Sequence, residues 1–166
     1  MLIYLLRHGI AEDPAAGQGD HERALTDEGW KRLRRAAPAW RQLCEVPAVV
    51  FVSPLRRAQE TASVLQEALR GAGELRTEPA LVPGASTSVI MRLLEAEQFA
   101  GTKCVALVGH EPHLGYLLGG LLTGHPRLAI PLKKGMLVAV ETESTASLVA
   151  GLRWSLTQRA AAALGG

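Results

Sequence analysis

The chain has 166 residues, a formal net charge of +2, 48% hydrophobic residues and 20% charged ones. That length suits one domain, residues 1–166, with its own core and leaves no room for two. The small net charge argues against a nucleic-acid binder, and no apolar run is long enough to cross a bilayer.

Taken in order, the apolar run Leu2 to Leu6 predicts a buried strand, and Arg7-His8-Gly9 stands at its exit. A histidine between a permanent cation and a residue tolerant of unusual backbone angles suits a nucleophile held against an anion. Residues 10–25 read as a loop bordering that exit. A helix is expected over 27–44, with Trp30, Leu33, Ala37, Trp40 and Cys44 on its apolar side and a kink or break at Pro38. The basic cluster Lys31, Arg32, Arg34 and Arg35 on that helix reads as a solvated face.

A second strand is predicted over 48–52. Ser53 follows as an N-cap and Pro54 as the first residue of a helix over 54–70, which places Arg57 in the first turn. A helix start with a guanidinium beside it is a phosphate-binding arrangement. Further along come a strand over 74–78, a helix over 86–96, and a strand over 103–108 that runs into Gly109-His110-Glu111-Pro112-His113. A helix over 113–123 follows. The chain then closes with a hairpin of strands, 136–142 and 146–154, and a short helix over 157–164 before its tail. Cys44 and Cys104 lack any paired-motif spacing and are expected as the reduced thiols of a cytoplasmic protein.

If the three strands ending at Arg7, Val52 and Val108 are parallel neighbours, their carboxyl ends share one edge, where open α/β sheets place a ligand crevice. His8, Arg57 and His110 then converge on one small ligand. Because Arg7 and Arg57 cannot lose their charge, that ligand is an anion.

Arg7-His8-Gly9, the run Ser53 to Ala62 with Arg57-Ala58, and Gly109-His110 resemble, in order, the three motifs of the histidine phosphatase, or phosphoglycerate mutase-like, superfamily. Leu25-Thr26-Asp27-Glu28-Gly29 is a weaker fourth element, and short length makes the chain most similar to SixA-type phosphohistidine phosphatases. The resemblance implies a three-layer α/β/α sandwich on a six-stranded, mostly parallel mixed sheet without a large lid. It also implies a phosphorylated His8 intermediate, with Arg7, Arg57 and His110 as catalytic residues. Arg7, Arg57 and Gly9 would bind substrate, and no metal or other cofactor is called for.

The chain departs from the pattern in one place. Where many relatives carry an acid after the third strand, it reads Leu81-Val82-Pro83-Gly84. Glu12, Asp13 and Glu111 are the substitutes that lie nearby. A missing acid favours phosphohistidine, whose protonated imidazole leaves as a neutral ring, over sugar phosphates, whose alkoxide needs a positioned donor. The expected partner is therefore a phosphorylated protein, such as a histidine-phosphotransfer domain, with a small phosphate ester as the alternative. A phosphoprotein-binding module without turnover is the non-enzymatic reading. A metal held by the histidines with Asp13 or Asp20 is disfavoured beside two arginines, and G-x-G-x-x-G, G-K-[ST] and G-x-S-x-G motifs are absent.

Overall fold

The computed structural model describes residues 1–14, 17, 19–144 and 147–165. The expected start of the last strand at Ala146 and the terminal Gly166 lie outside the described residues. Six strands form one sheet: β1 (Leu2–Arg7), β2 (Val49–Val52), β3 (Glu74–Thr77), β4 (Cys104–Gly109), β5 (Leu137–Ser144) and β6 (Ser147–Leu156). Their order is β3-β2-β4-β1-β5-β6. The first four are mutually parallel and β5 runs antiparallel to both β1 and β6, so the sheet is mixed, as the sequence led us to expect.

Among the described residues, five α-helices cover the sheet: α1 (Asp27–Leu43), α2 (Arg56–Ala68), α3 (Thr87–Phe99), α4 (His113–Thr123) and α5 (Gln158–Leu164). The strand sequences dictate the three layers. In β1, Tyr4 and Leu6 point into a core shared with α1, α2 and α5, while Ile3 and Leu5 point into a second core with α3 and α4. Strands buried on both faces need continuous apolar runs, and β1, β2 and β4 have them. β3, at the edge, carries charged Glu74 and Arg76 instead.

Two local expectations are corrected. α1 runs unbroken through Pro38. The proline removes one amide donor, but five buried residues fix the helix on the sheet and α5 closes over Pro38, where a Cβ on Gly165 would come within 2.9 Å of the ring. α2 starts at Arg56, with Leu55 as its N-cap, and not at Pro54. The Ser53 amide is still committed to the sheet, donating to the Val108 carbonyl at 3.0 Å, so Ser53 stays extended and the helix begins later.

The Leu25–Gly29 element ties α1 to the segment after His8. Thr26 caps α1 by accepting the Gly29 amide at 3.0 Å, and its own amide bonds the Ile10 carbonyl. A Cβ on Gly29 would sit 2.1 Å from that carbonyl oxygen. Gly29→Ala is therefore expected to cost about 1–3 kcal/mol in urea denaturation; an unchanged midpoint would mean that this approach is not needed.

Candidate active site

The backbone ladder brings the two histidines together. Arg7 pairs with Gly109 in register, and one residue further the His8 amide donates to the Gly109 carbonyl at 3.0 Å. β4 lies between β1 and β2, so His110 emerges between His8 and Ser53. The two imidazole centroids are 4.9 Å apart. From the β5 side, the Gly135 amide bonds both the Arg7 and His8 carbonyls at 3.0 Å, which sets the Lys133-Lys134-Gly135 turn against the same strand exit.

His8 is buried, with Nδ1 2.7 Å from the Gly9 carbonyl oxygen. A carbonyl can only accept, so Nδ1 carries the proton and Nε2 keeps its lone pair. Gly9 is needed here for space and not for an unusual backbone angle, since it has no positive φ and a Cβ would meet Leu33 Cδ1 at 2.8 Å. Its amide donates to Thr61 Oγ1 at 3.1 Å. Gly9 thus orients His8, while its own amide is held by Thr61.

Burial, above all, lowers the His8 pKa to about 4, and the charges of Arg57, Arg7 and Lys134 push the same way. Repulsion by the arginines is secondary to desolvation. His110 is lowered to about 2, first by burial and then by His8 and Arg57. His110 is therefore neutral at pH 7. Ser53 Oγ accepts the Leu55 amide and lies 2.8 Å from His110 Nε2, so its single proton can go to that nitrogen. His110 then carries its own proton on Nδ1, which is buried and has no hydrogen-bond partner. A neutral His110 can therefore still donate to an anion.

The arginines are aimed by different partners. Arg7 donates from Nη1 to the Leu132 carbonyl at 2.7 Å, and its buried Nε has no partner. Arg57 is buried and holds Asp20 with both ends of its fork, Nη1 to the backbone carbonyl at 2.7 Å and Nη2 to Oδ2 at 2.9 Å. Bonds to Arg57 and then Arg23 keep the Asp20 carboxyl below its usual range. Asp20, weighed from sequence only as a metal ligand, is an internal anion on the phosphate-type guanidinium.

Among the described residues, none of the candidate acids hydrogen-bonds to His8, His110, Arg7 or Arg57, although Glu111 is near enough to Arg7 for their charges to interact. Glu12 is exposed and turns to the Ala24 amide, and Asp13 is exposed. Glu111 is half-buried, with burial raising its pKa, but Oε1 accepts the Leu132 amide at 3.0 Å and so braces the segment that holds Arg7. Leu81 packs near Gly109 and contributes no titratable group. Sequence reasoning missed Ser53 as a partner of His110, Thr61 as the anchor of Gly9, and Lys134 as a third cation. Only Ser53 and Thr61 carried a signal, as polar members of an otherwise assigned motif.

Two outcomes follow from this geometry. Because the folded-state pKa of His8 lies below the ordinary 6.5, the unfolded chain takes up protons that the fold refuses, so stability is full above that pH and falls as pH drops towards 4. Relative to His8→Asn, the wild type is expected to lose on the order of 2–3 kcal/mol between pH 7 and 4.5 in chemical denaturation; equal losses would mean that the fold tolerates an imidazolium. Asp20→Asn removes a negative charge from Arg57, and inorganic phosphate is expected to bind about three- to tenfold tighter by calorimetry. Unchanged or weaker binding would show that the carboxylate does not compete with the anion.

Comparison with known proteins agrees with the family resemblance. Residues 3–82 match the model of the histidine phosphatase superfamily (branch 1). An uncharacterized protein of Picosynechococcus sp. is 32% identical over 146 residues, covering 86% of each chain. The phosphohistidine phosphatase SixA of Escherichia coli K12 is 30% identical over 125 residues, covering 75% of this chain and 76% of that one. A solved structure of the protein histidine phosphatase SixA complexed with tungstate superimposes with a TM-score of 0.84 at 26% identity, covering 96% of this chain and 98% of that one. On this combined evidence the chain belongs to the histidine phosphatase superfamily and is similar to its SixA members.

Proposed function

We propose that the protein removes the phosphoryl group from phosphohistidine on a protein, through a covalent phosphoryl intermediate on His8. The observation that carries this reading is the unprotonated Nε2 of His8, held by the Gly9 hydrogen bond beside two buried donors without partners, Arg7 Nε and His110 Nδ1, and the Arg57 fork, which Asp20 occupies. Those donors meet the oxygens of a transferring phosphoryl group, where such reactions gain most of their rate. Arg57 exchanges the Asp20 carboxylate for the incoming anion.

In the first step Nε2 of His8 bonds to phosphorus as the bond to the substrate imidazole breaks. That imidazole, protonated on its other nitrogen, departs as a neutral ring. His8 Nδ1–H stays on the Gly9 carbonyl throughout, so phospho-His8 is itself a protonated phosphoimidazole. In the second step water attacks phosphorus, the bond to Nε2 breaks, and His8 returns neutral while the water proton leaves with phosphate. Neither step requires a carboxylic acid, in keeping with the stretch Leu81 to Gly84. Among the described residues, α3 and a single 3-10 turn, Pro79–Leu81, occupy the space after β3, and such an open edge suits a phosphoryl group presented on a protein surface.

Wild type, His8→Ala and Arg57→Ala are to be assayed with a chelator present, on an aryl phosphate, an alkyl phosphate and a phosphohistidine protein. His8→Ala is expected to lose on the order of a thousandfold or more on every substrate, and Arg57→Ala about a hundred- to a thousandfold. The chelator should leave the wild-type rate unchanged, and an acid-labile phosphoryl label should appear on His8. Full activity in His8→Ala contradicts the intermediate. Alkyl phosphate turnover equal to that of phosphohistidine replaces this reading with a general phosphomonoesterase.

A further inference from the structure

Beside the His8 pocket a second cleft, of about 550 Å³, opens between the first turns of α3 and α4 and the connection from α4 to β5. Ser86 and Thr87 line it from α3, His113 and Tyr116 from α4, and Arg127 from the connection. It adjoins the reacting centre, because His113 follows His110 by three residues and a charge on His113 is felt at His110.

His113 has no role in the chemistry above. It is 2% exposed, and its ring leans towards the Ser86 backbone without completing a hydrogen bond at either nitrogen. Burial lowers its pKa, so the ring is neutral and offers one N–H and one lone pair. Buried polar groups are normally paired, so an unpaired imidazole on the wall of a cleft points to a polar ligand.

The sign of that ligand follows from charge. No carboxylate lines the cleft, and Arg127 is exposed and enters no ion pair among the described residues. The amide end of α3, a helix of 13 residues, adds positive potential. Lys133 and Lys134 continue the same sign along the connection, and Lys134 is near enough to His8 to influence it. A cleft of this volume holds one or two side chains.

We infer that this cleft is a subsite for an acidic side chain, Asp or Glu, that neighbours the phosphorylated residue of a polypeptide substrate. The carboxylate meets Arg127 at the N-terminal end of α3, and its chain places a backbone N–H on the ring nitrogen of His113 that Ser86 leaves open. The inference rests on the proposed phosphatase reading and narrows its substrate to phosphoproteins with an acidic flank.

The test uses two peptides carrying a phosphoryltriazole analogue of phosphohistidine, one flanked by glutamates and one by lysines. Binding to the His8→Ala protein is measured by fluorescence anisotropy, with and without Arg127→Glu. The glutamate peptide is expected to bind about five- to tenfold tighter, and Arg127→Glu to abolish or invert that preference. His113→Leu, which keeps the bulk and removes both polar atoms, should weaken the glutamate peptide more than the lysine peptide. Equal affinities, or a preference that Arg127→Glu leaves intact, overturn the subsite. Aryl phosphate turnover by the wild type reads the other claim separately: a wild type without turnover but with the peptide preference kept loses the phosphatase reading and keeps the subsite.

Discussion

A histidine can serve as a nucleophile only through a nitrogen that bears no proton, and here one short hydrogen bond decides which nitrogen that is. His8 Nδ1 lies 2.7 Å from the Gly9 carbonyl oxygen, and much of the surrounding structure maintains that contact. Gly9 is fixed from one side by Thr61 Oγ1 and crowded from the other by Leu33 and Leu25. Thr61, in the second turn of α2, bonds the Arg57 carbonyl of the first turn, so one helix start orients His8 and delivers the guanidinium. The His8 tautomer and the Arg57 guanidinium are therefore set by a single joint between β1 and α2.

Burial does most of the electrostatic work. Withdrawing both imidazoles from water favours their neutral forms more than the neighbouring arginines do. The result is a pocket whose positive charge sits on guanidinium groups, while the imidazoles supply a lone pair and a neutral donor. Asp20 balances Arg57 in this state, from a turn anchored by Arg23 and by the Ala11–Leu25 bridge. The loop bordering the site thereby supplies a carboxylate to the Arg57 guanidinium.

The buried strands could be anticipated from unbroken apolar runs, and the convergence of Arg7, His8 and His110 follows once β1 and β4 are neighbours. What local patterns did not carry were contacts made by polar side chains across the fold. Ser53 looked like a helix cap because capping chemistry and partnership with a buried histidine use the same hydroxyl. Pro38 looked like a helix break because the packing of α5 against it comes from residues more than a hundred positions later. Lys134 reaches the site because β5 pairs antiparallel with β1, and a hairpin pattern does not say which strand its first member joins. Asp20 had no periodicity to mark it at all.

The protonation pattern of His8 is open to direct observation. In protein labelled with 15N at histidine, the nitrogen shifts and proton couplings of His8 at pH 7 should report a neutral ring with the proton on Nδ1 and a free Nε2, and this pattern should persist to about pH 5. A His8 ring protonated at Nε2, or doubly protonated at neutral pH, would contradict the nucleophile on which the proposed chemistry turns.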